Sequence, residues 1–215
     1  MLRMGAVLAV ICASVIASGC VPTRFEAAPS IPSPLVTRIP IAVGLYVPAA
    51  FETAVHEEKR EGASVSIALG KAQADGFRRL MNAMFDRVVP VASTDAGART
   101  DPEIRGVLEP VMEEFAFITP QDSGTSMYAV SIRYRINGYT PSGELQESWT
   151  FTGYGTEASS GMPMSGRPAL EKATARAMRD AGARLAAEFR EQAIARGLLP
   201  PGQAGETIEI VPQTD

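Results

Sequence analysis

Histidine and cysteine are scarce in this chain of 215 residues, which has one histidine, His56, and two cysteines, Cys12 and Cys20. A single histidine cannot form a histidine metal cluster or an H-E-x-x-H helix. His56 lies within a run of charged residues, and we interpret it as a solvated side chain rather than a functional one. The sequence therefore predicts no metal site.

Catalytic and nucleotide-binding motifs are lacking as well. The chain contains no G-x-S-x-G elbow, no P-loop and no G-x-G-x-x-G fingerprint, since Gly153-Tyr154-Gly155 has no third glycine. Adjacent carboxylates occur at Glu57-Glu58 and Glu113-Glu114, but neighbours on a strand point to opposite faces. We predict a non-catalytic protein without a cofactor. The enzymatic alternative that stays open is an acid–base hydrolase of cell-wall or lipid substrates.

The first 19 residues have the layout of a secretory signal. Arg3 provides the positive charge, Val7 to Ile16 form an apolar core, and Ala17-Ser18-Gly19 are the small residues before a cleavage site. The apolar core is shorter than the roughly 20 residues that a membrane-spanning helix needs. A leader that is removed is therefore favoured over a membrane span.

Cys20 follows the small residues directly, and this stretch resembles the lipobox of bacterial lipoproteins. The resemblance implies cleavage between Gly19 and Cys20, a diacylglyceryl thioether on Cys20 and acylation of its new amine. Two or three acyl chains would hold a folded domain on a bilayer without spanning it. The alternative is an ordinary signal peptide, which would leave Cys20 as a lone thiol in an oxidising compartment.

Processing at this position would change both the charge and the cysteine content. Cys12 would be lost with the leader, so disulfides and cysteine metal sites would be excluded from the mature chain. Removal of Arg3 would leave 19 basic against 24 acidic residues, a net charge of −5. Nucleic-acid binders normally carry a basic surplus, and we therefore predict no nucleic-acid partner.

The mature chain divides into three parts by composition. Residues 20–38 are rich in proline and serine and predict an extended tether. Residues 39–196 carry the periodic apolar patterns of a single domain, and residues 197–215 form a tail with a marginal strand-like piece at Ile208 to Val211.

The periodicity of residues 39–196 predicts an α+β fold in the order β-α-β-β-β-β-α, with a mixed four- to five-stranded sheet and two long helices on one face. Between the first strand, at 39–47, and the first helix, we expect a loop or loose hairpin. The first helix carries the apolar face of Phe77, Leu80, Met81, Met84 and Phe85. Strand, helix and strand in this order suggest a parallel crossover. Pro110 places its strand at an edge or a bulge.

The element order behind a lipobox and a Pro-rich tether resembles small Gram-negative outer-membrane lipoproteins. They include the lipopolysaccharide-assembly lipoprotein and auxiliary lipoproteins of transport systems. Gly44-Leu45-Tyr46-Val47-Pro48 also resembles a family of uncharacterised bacterial lipoproteins. Val21 stands where an aspartate would retain an enteric lipoprotein in the inner membrane. By this resemblance we expect an anchor in the outer membrane, facing the periplasm.

Two binding functions follow as hypotheses. In the first, the domain is an accessory or assembly subunit that docks on an envelope complex through the polar sheet face of Ser131, Thr150 and Thr152 or through an edge near Pro110. In the second, it carries a lipid or glycolipid, whose phosphate Arg133 and Arg135 would bind from one face. Trp149 and Tyr128 are expected on the opposite, buried face.

Overall fold

The computed structural model describes residues 23–28, 31, 33–60, 63–98, 101–159 and 166–198. The predicted leader, the cleavage site at Gly19 and Cys20, and the predicted strand-like piece at Ile208 to Val211 lie outside the described residues. The strands are β1 (Thr23–Glu26), β2 (Ile39–Leu45), β3 (Val55–Arg60), β4 (Ala63–Ala68), β5 (Phe85–Pro90), β6 (Ile104–Ile118), β7 (Met127–Tyr139) and β8 (Leu145–Ala158). The helices are α1 (Ala49–Glu52), α2 (Gly70–Met84), α3 (Pro120–Ser123), α4 (Arg167–Glu188) and α5 (Ala193–Leu198), with short 3₁₀ turns at Ala96–Ala98 and Phe189–Glu191.

Five strands form a mixed sheet in the order β5-β2-β6-β7-β8. β2 runs parallel to β5 and β6, while β6, β7 and β8 form an antiparallel meander. The chain passes through α2 between β2 and β5, as the strand-helix-strand pattern predicts. The expectation of an α+β domain with a mixed sheet is therefore confirmed.

Both long helices lie on one face of this sheet, also as predicted. On α2, the ring of Phe77 packs edge-on to Tyr134 of β7, with centroids 5.2 Å apart. On α4, the backbone lies against Gly153 and Gly155 of β8, which contribute no side chain of their own to the interface. Alternate residues of β7 fill the interface from the sheet side: Tyr128, Val130, Ile132, Tyr134 and Ile136 are buried. Burial of these apolar side chains is the main stabilising contribution to the domain.

A second, three-stranded sheet in the order β1-β4-β3 departs from the predicted fold. Its β3-β4 hairpin occupies the stretch in which we expect a loop or loose hairpin. β1 pairs parallel with β4 and comes from the predicted tether. Phe25, Ala27 and Ile31 are 4%, 3% and 2% exposed, so this part of residues 20–38 belongs to the core. The composition suggests a spacer, but a buried phenylalanine fixes the segment to the domain.

Pro110 marks a transition within β6. Pairing with β2 ends near Leu108, whose carbonyl accepts a hydrogen bond from the Tyr46 N–H. Backbone groups two residues apart point the same way, so Pro110 lacks its N–H on the side where β2 has ended. The register between β6 and β7 then shifts between Met112 and Glu114. The sequence expectation of an edge or a bulge is met by both features.

Candidate functional site on the open face of the sheet

The face of β6, β7 and β8 opposite the two long helices is the open face. On β7 it carries Ser131, Arg133 and Arg135, which alternate with the buried residues. Arg133 lies opposite Thr152 of β8, and Arg135 lies opposite Thr150. The side chains of Arg133 and Arg135 are 47% and 40% exposed. The face therefore presents the two arginines that we consider as phosphate ligands.

These arginines already have carboxylate partners. Arg133 Nη2 lies 2.7 Å from Glu114 Oε2, and Arg133 Nε lies 3.3 Å from Glu113 Oε2. Arg135 Nη1 lies 3.2 Å from Glu113 Oε1. We call these four residues the arginine–glutamate quartet. Its formal charges cancel, so a phosphate would have to displace carboxylates before it could bind both arginines.

A β-bulge explains why both carboxylates reach the same face. In a regular strand, Glu113 and Glu114 would point to opposite sides, as the alternation rule predicts. The register shift between Met112 and Glu114 inserts one extra residue into β6, which reverses the alternation beyond it. The expectation that this adjacent pair is split between two faces is therefore wrong. The bulge places a two-carboxylate acceptor beside Arg133.

Near Tyr139, at the end of β7, a hydrogen-bond network on the open face joins β6, β7 and β8. Glu109 Oε2 accepts hydrogen bonds from Asn137 Nδ2 at 2.9 Å and from the Tyr139 hydroxyl at 2.7 Å. Ser148 Oγ donates to Asn137 Oδ1 at 2.8 Å. Burial, and then the hydrogen bond to Glu109, raise the pKa of Tyr139 to about 12. A tyrosine that stays protonated at neutral pH serves here as a donor that orders the sheet.

The outer edge of β8 is blocked by side chains of α4. The N–H of Tyr154 donates to Asp180 Oδ2 at 3.0 Å, and the carbonyl of Thr156 accepts from Arg176 Nη1. These contacts occupy backbone groups that another strand would need for pairing. Charged blocking of this kind is a common protection of sheet edges against unwanted association. Strand addition is therefore disfavoured at this part of β8.

Exposed apolar side chains occupy the same face, and sequence reasoning missed them. Tyr154, Ile118 and Met127 are 59%, 49% and 37% exposed. Tyr154 lies opposite Ser131, while Ile118 and Met127 flank the connection between β6 and β7. The alternation of residues along β7 and β8 could have indicated them, because it places Met127 and Tyr154 on the same face as the two arginines. The predicted polar residues of this face are thus interspersed with solvent-exposed apolar ones.

The only histidine is not the freely solvated residue that its charged neighbours suggest. The His56 ring packs on Phe115 with centroids 4.7 Å apart, and its Nε2 lies 3.2 Å from Glu58 Oε2. Arg60 also forms an ion pair with Glu58, in which Arg60 Nε lies 2.6 Å from Glu58 Oε1. Burial opposes ionisation of Glu58, but its hydrogen bonds to Arg60 and His56 outweigh that cost and lower its pKa. Within the described ranges, histidine and carboxylates do not gather in a group that could hold a metal.

Three clefts formed by the described residues are small. One of about 220 Å³ lies between the start of β2 and the ends of α2 and α4, with Ile39, Met84 and Arg190 in its wall. Two others measure about 170 and 130 Å³. Sites for drug-sized ligands are typically about 300–1,000 Å³.

Trp149 packs on Phe151 of the helix-covered face, as predicted, and the centroids of the two rings are 4.8 Å apart.

Among the helices in the described part of the chain, none is long and apolar enough to cross a membrane.

No protein-family model matches the sequence, and no curated protein matches it. A solved structure from Xanthomonas campestris, of family DUF330, aligns with 79% of this chain and 94% of its own at 12% identity, with a TM-score of 0.47. A candidate lipoprotein from Caulobacter crescentus aligns over 43% of this chain and 70% of its own at 12% identity, with a TM-score of 0.33. Neither likeness is close enough to assign a function to this chain.

Proposed function

We propose that the protein is a non-catalytic lipoprotein, anchored through Cys20 in the outer membrane, whose periplasmic domain docks on an envelope complex as an accessory or assembly subunit. The lipobox-like Ala17-Ser18-Gly19-Cys20 supports the anchor, and Val21 supports the outer membrane as its destination. The domain supplies a folded body on the periplasmic side. Its partner is a protein of the envelope.

The observation that carries the docking role is the composition of the open face. Both long helices lie on the other side of the sheet, and the open face presents Tyr154 beside the quartet that contains Arg133. Tyrosine and arginine are the residue types that most often dominate binding energy at protein interfaces. The charges of the quartet are already balanced, so a partner would not bury an uncompensated cation.

In-cell crosslinking of the full-length protein tests this role. A photo-crosslinking amino acid replaces Tyr154 on the open face, and the matched control replaces Arg179, an exposed residue of α4. We expect one stoichiometric envelope protein to be captured from position 154 and much less of it from position 179. Equal capture from both positions, or none from position 154 in correctly localised protein, would contradict docking through this face.

The alternative is a lipid or glycolipid carrier of an envelope transport system. The described residues support it less, because Arg133 and Arg135 are paired with carboxylates and the three clefts described above are small. Lipid extraction and mass spectrometry of the purified protein test the carrier role. A co-purifying lipid whose amount falls in the double variant Arg133→Glu and Arg135→Glu would favour the carrier over the docking subunit.

A further inference from the structure

The beginning of β1 limits how far the domain can lie from the proposed lipid anchor. Thr23 is the first residue of β1 and lies three residues after Cys20. Three residues of fully extended chain span about 11 Å. Because Phe25 is buried, β1 is part of the domain and cannot act as additional spacer. An anchor at Cys20 would therefore hold the Thr23 end of the domain next to the lipid headgroups.

Strand pairing identifies what else lies at this end. Thr23 pairs with Val65 of β4, and Val65 pairs with Glu58 of β3. Arg60 and Ala63, the last pair of the β3-β4 ladder, therefore lie at the same end as Thr23, and we call this pair the hairpin tip. β1 would enter this end directly from the anchor.

Arg60 links the hairpin tip to the main sheet. It pairs with Asp122 of α3, and its Nη2 donates to the Phe117 carbonyl at 2.9 Å. The connection from β6 to β7, which contains α3, thus lies beside the hairpin tip. Ile118 and Met127 begin and end this connection. The two exposed apolar side chains are consequently at the anchor end of the domain.

The exposed side chains at this end suit a phospholipid surface. Ile118 is 49% exposed and Met127 is 37% exposed. Arg24 and Lys59 are exposed on the outer side of the small sheet, close to its Thr23 end, and Glu57 is exposed on the same side. Exposed apolar side chains such as Ile118 and Met127 can contact the headgroup region of a bilayer.

We propose that this end, formed by the β3-β4 hairpin and the β6-β7 connection, is a membrane-contacting surface that rests on the bilayer holding the lipid anchor. The proposal rests on the anchor at Cys20 that we infer above. It adds an orientation: Ile118 and Met127 contact the headgroup region, and the opposite end of the sheet points away from the membrane. Leu145, which lies opposite Tyr139, marks that distant end, about 40 Å along β7 from Met127.

Site-specific quenching tests this orientation on the full-length lipidated protein. Single cysteines introduced at Ile118, Met127 or Leu145 carry a fluorophore, because lipidation consumes the Cys20 thiol and Cys12 leaves with the leader. Leu145 is 58% exposed and is the matched apolar control. The proteins are reconstituted into vesicles of phosphatidylethanolamine and phosphatidylglycerol that contain a lipid with a nitroxide headgroup. We expect several-fold stronger quenching at positions 118 and 127 than at position 145.

Flotation of the same vesicles separates the two proposals. Protein that does not float with the vesicles would overturn the anchor and, with it, the orientation. Protein that floats but shows equal quenching at the three positions, or stronger quenching at position 145, would overturn the orientation alone. An insertion of about fifteen Gly and Ser residues after Val21 adds a second test, since such a linker spans about 20 Å. We expect quenching at position 118 to stay stronger than at position 145 without loss of flotation, because Ile118 and Met127 themselves contact the headgroups. Loss of that difference would show that the short linker alone holds this end at the membrane, against a membrane-contacting surface.

Discussion

Substitution of Gly153 by alanine probes the closest approach in the fold, that of α4 to β8. A Cβ at Gly153 would lie 2.6 Å from the Cβ and the backbone N of Ala181, and closer still to the carbonyl oxygen of Ala177. Ordinary van der Waals contacts begin near 3.4 Å, so α4 would have to move by about 0.8 Å or more. Most of the obstructing atoms are helix backbone, which cannot rotate away as a side chain can.

We expect Gly153→Ala to lower the free energy of unfolding by about 3 kcal/mol, the upper part of the range for overpacked cores. Urea unfolding followed by the fluorescence of Trp149, the only tryptophan, measures this loss. Gly97→Ala is the control, because an added Cβ there meets no atom within 4 Å, and we expect a change within about 0.5 kcal/mol. A Gly153→Ala variant as stable as Gly97→Ala would refute the close packing of α4 on β8.

Three further predictions concern β1, the β6-β7 connection and the quartet. Phe25→Ala should lower the free energy of unfolding by about 3–5 kcal/mol, because β1 is part of the core. Hydrogen bonds to Thr119 and the ion pair with Arg60 lower the pKa of Asp122. A carboxyl whose pKa is lowered by folding stabilises the fold above its unfolded pKa and loses that contribution as pH falls. Acidification from about pH 6 to about pH 3 should therefore destabilise the native protein more than it destabilises the Asp122→Asn variant. The double variant Glu113→Gln and Glu114→Gln should bind inorganic phosphate about fivefold more tightly, because it leaves two arginines without carboxylate partners.

Each of these predictions has its own control and contrary outcome. Arg24→Ala, on the exposed side of β1, should be nearly neutral, and an equally small effect of Phe25→Ala would restore the tether interpretation. Parallel acid unfolding curves for the native protein and Asp122→Asn would show that Asp122 does not contribute to the pH dependence of stability. Calorimetric titration with phosphate that shows no gain in the Glu113 and Glu114 variant would mean that carboxylate pairing does not limit anion binding at the quartet.

Local periodicity predicts the main sheet and its helices because their apolar patterns are long and regular. Phe77, Leu80, Met81 and Met84 are spaced as one helix face, and all four are buried on α2. Phe85, predicted on the same helix face, is instead the first residue of β5 and is also buried. The alternation of β7 likewise separates Tyr134 from Arg133 correctly. On α4, the small residues Ala173, Ala177 and Ala181 lie on one buried face and permit close packing. Gly153 and Gly155 supply the matching space on β8.

Other features depend on contacts between distant parts of the sequence. β1 has only four residues in a Pro-rich stretch, and its partner β4 lies about 40 positions further along the chain. No local pattern distinguishes a buried Phe25 from a phenylalanine in a tether. The bulge between Met112 and Glu114 is invisible to a period of two, so the sequence alone separates Glu113 from Glu114 and misses the quartet.

Both proposals depend on the anchor, so intact mass spectrometry of the protein extracted from its own membranes is the most direct test. We predict a chain that begins at Cys20 and carries the added mass of a diacylglyceryl group and an N-linked acyl group, with Cys20→Ser left unmodified. A secreted chain without lipid at Cys20 would contradict the anchor, the docking subunit as proposed and the membrane-contacting surface together.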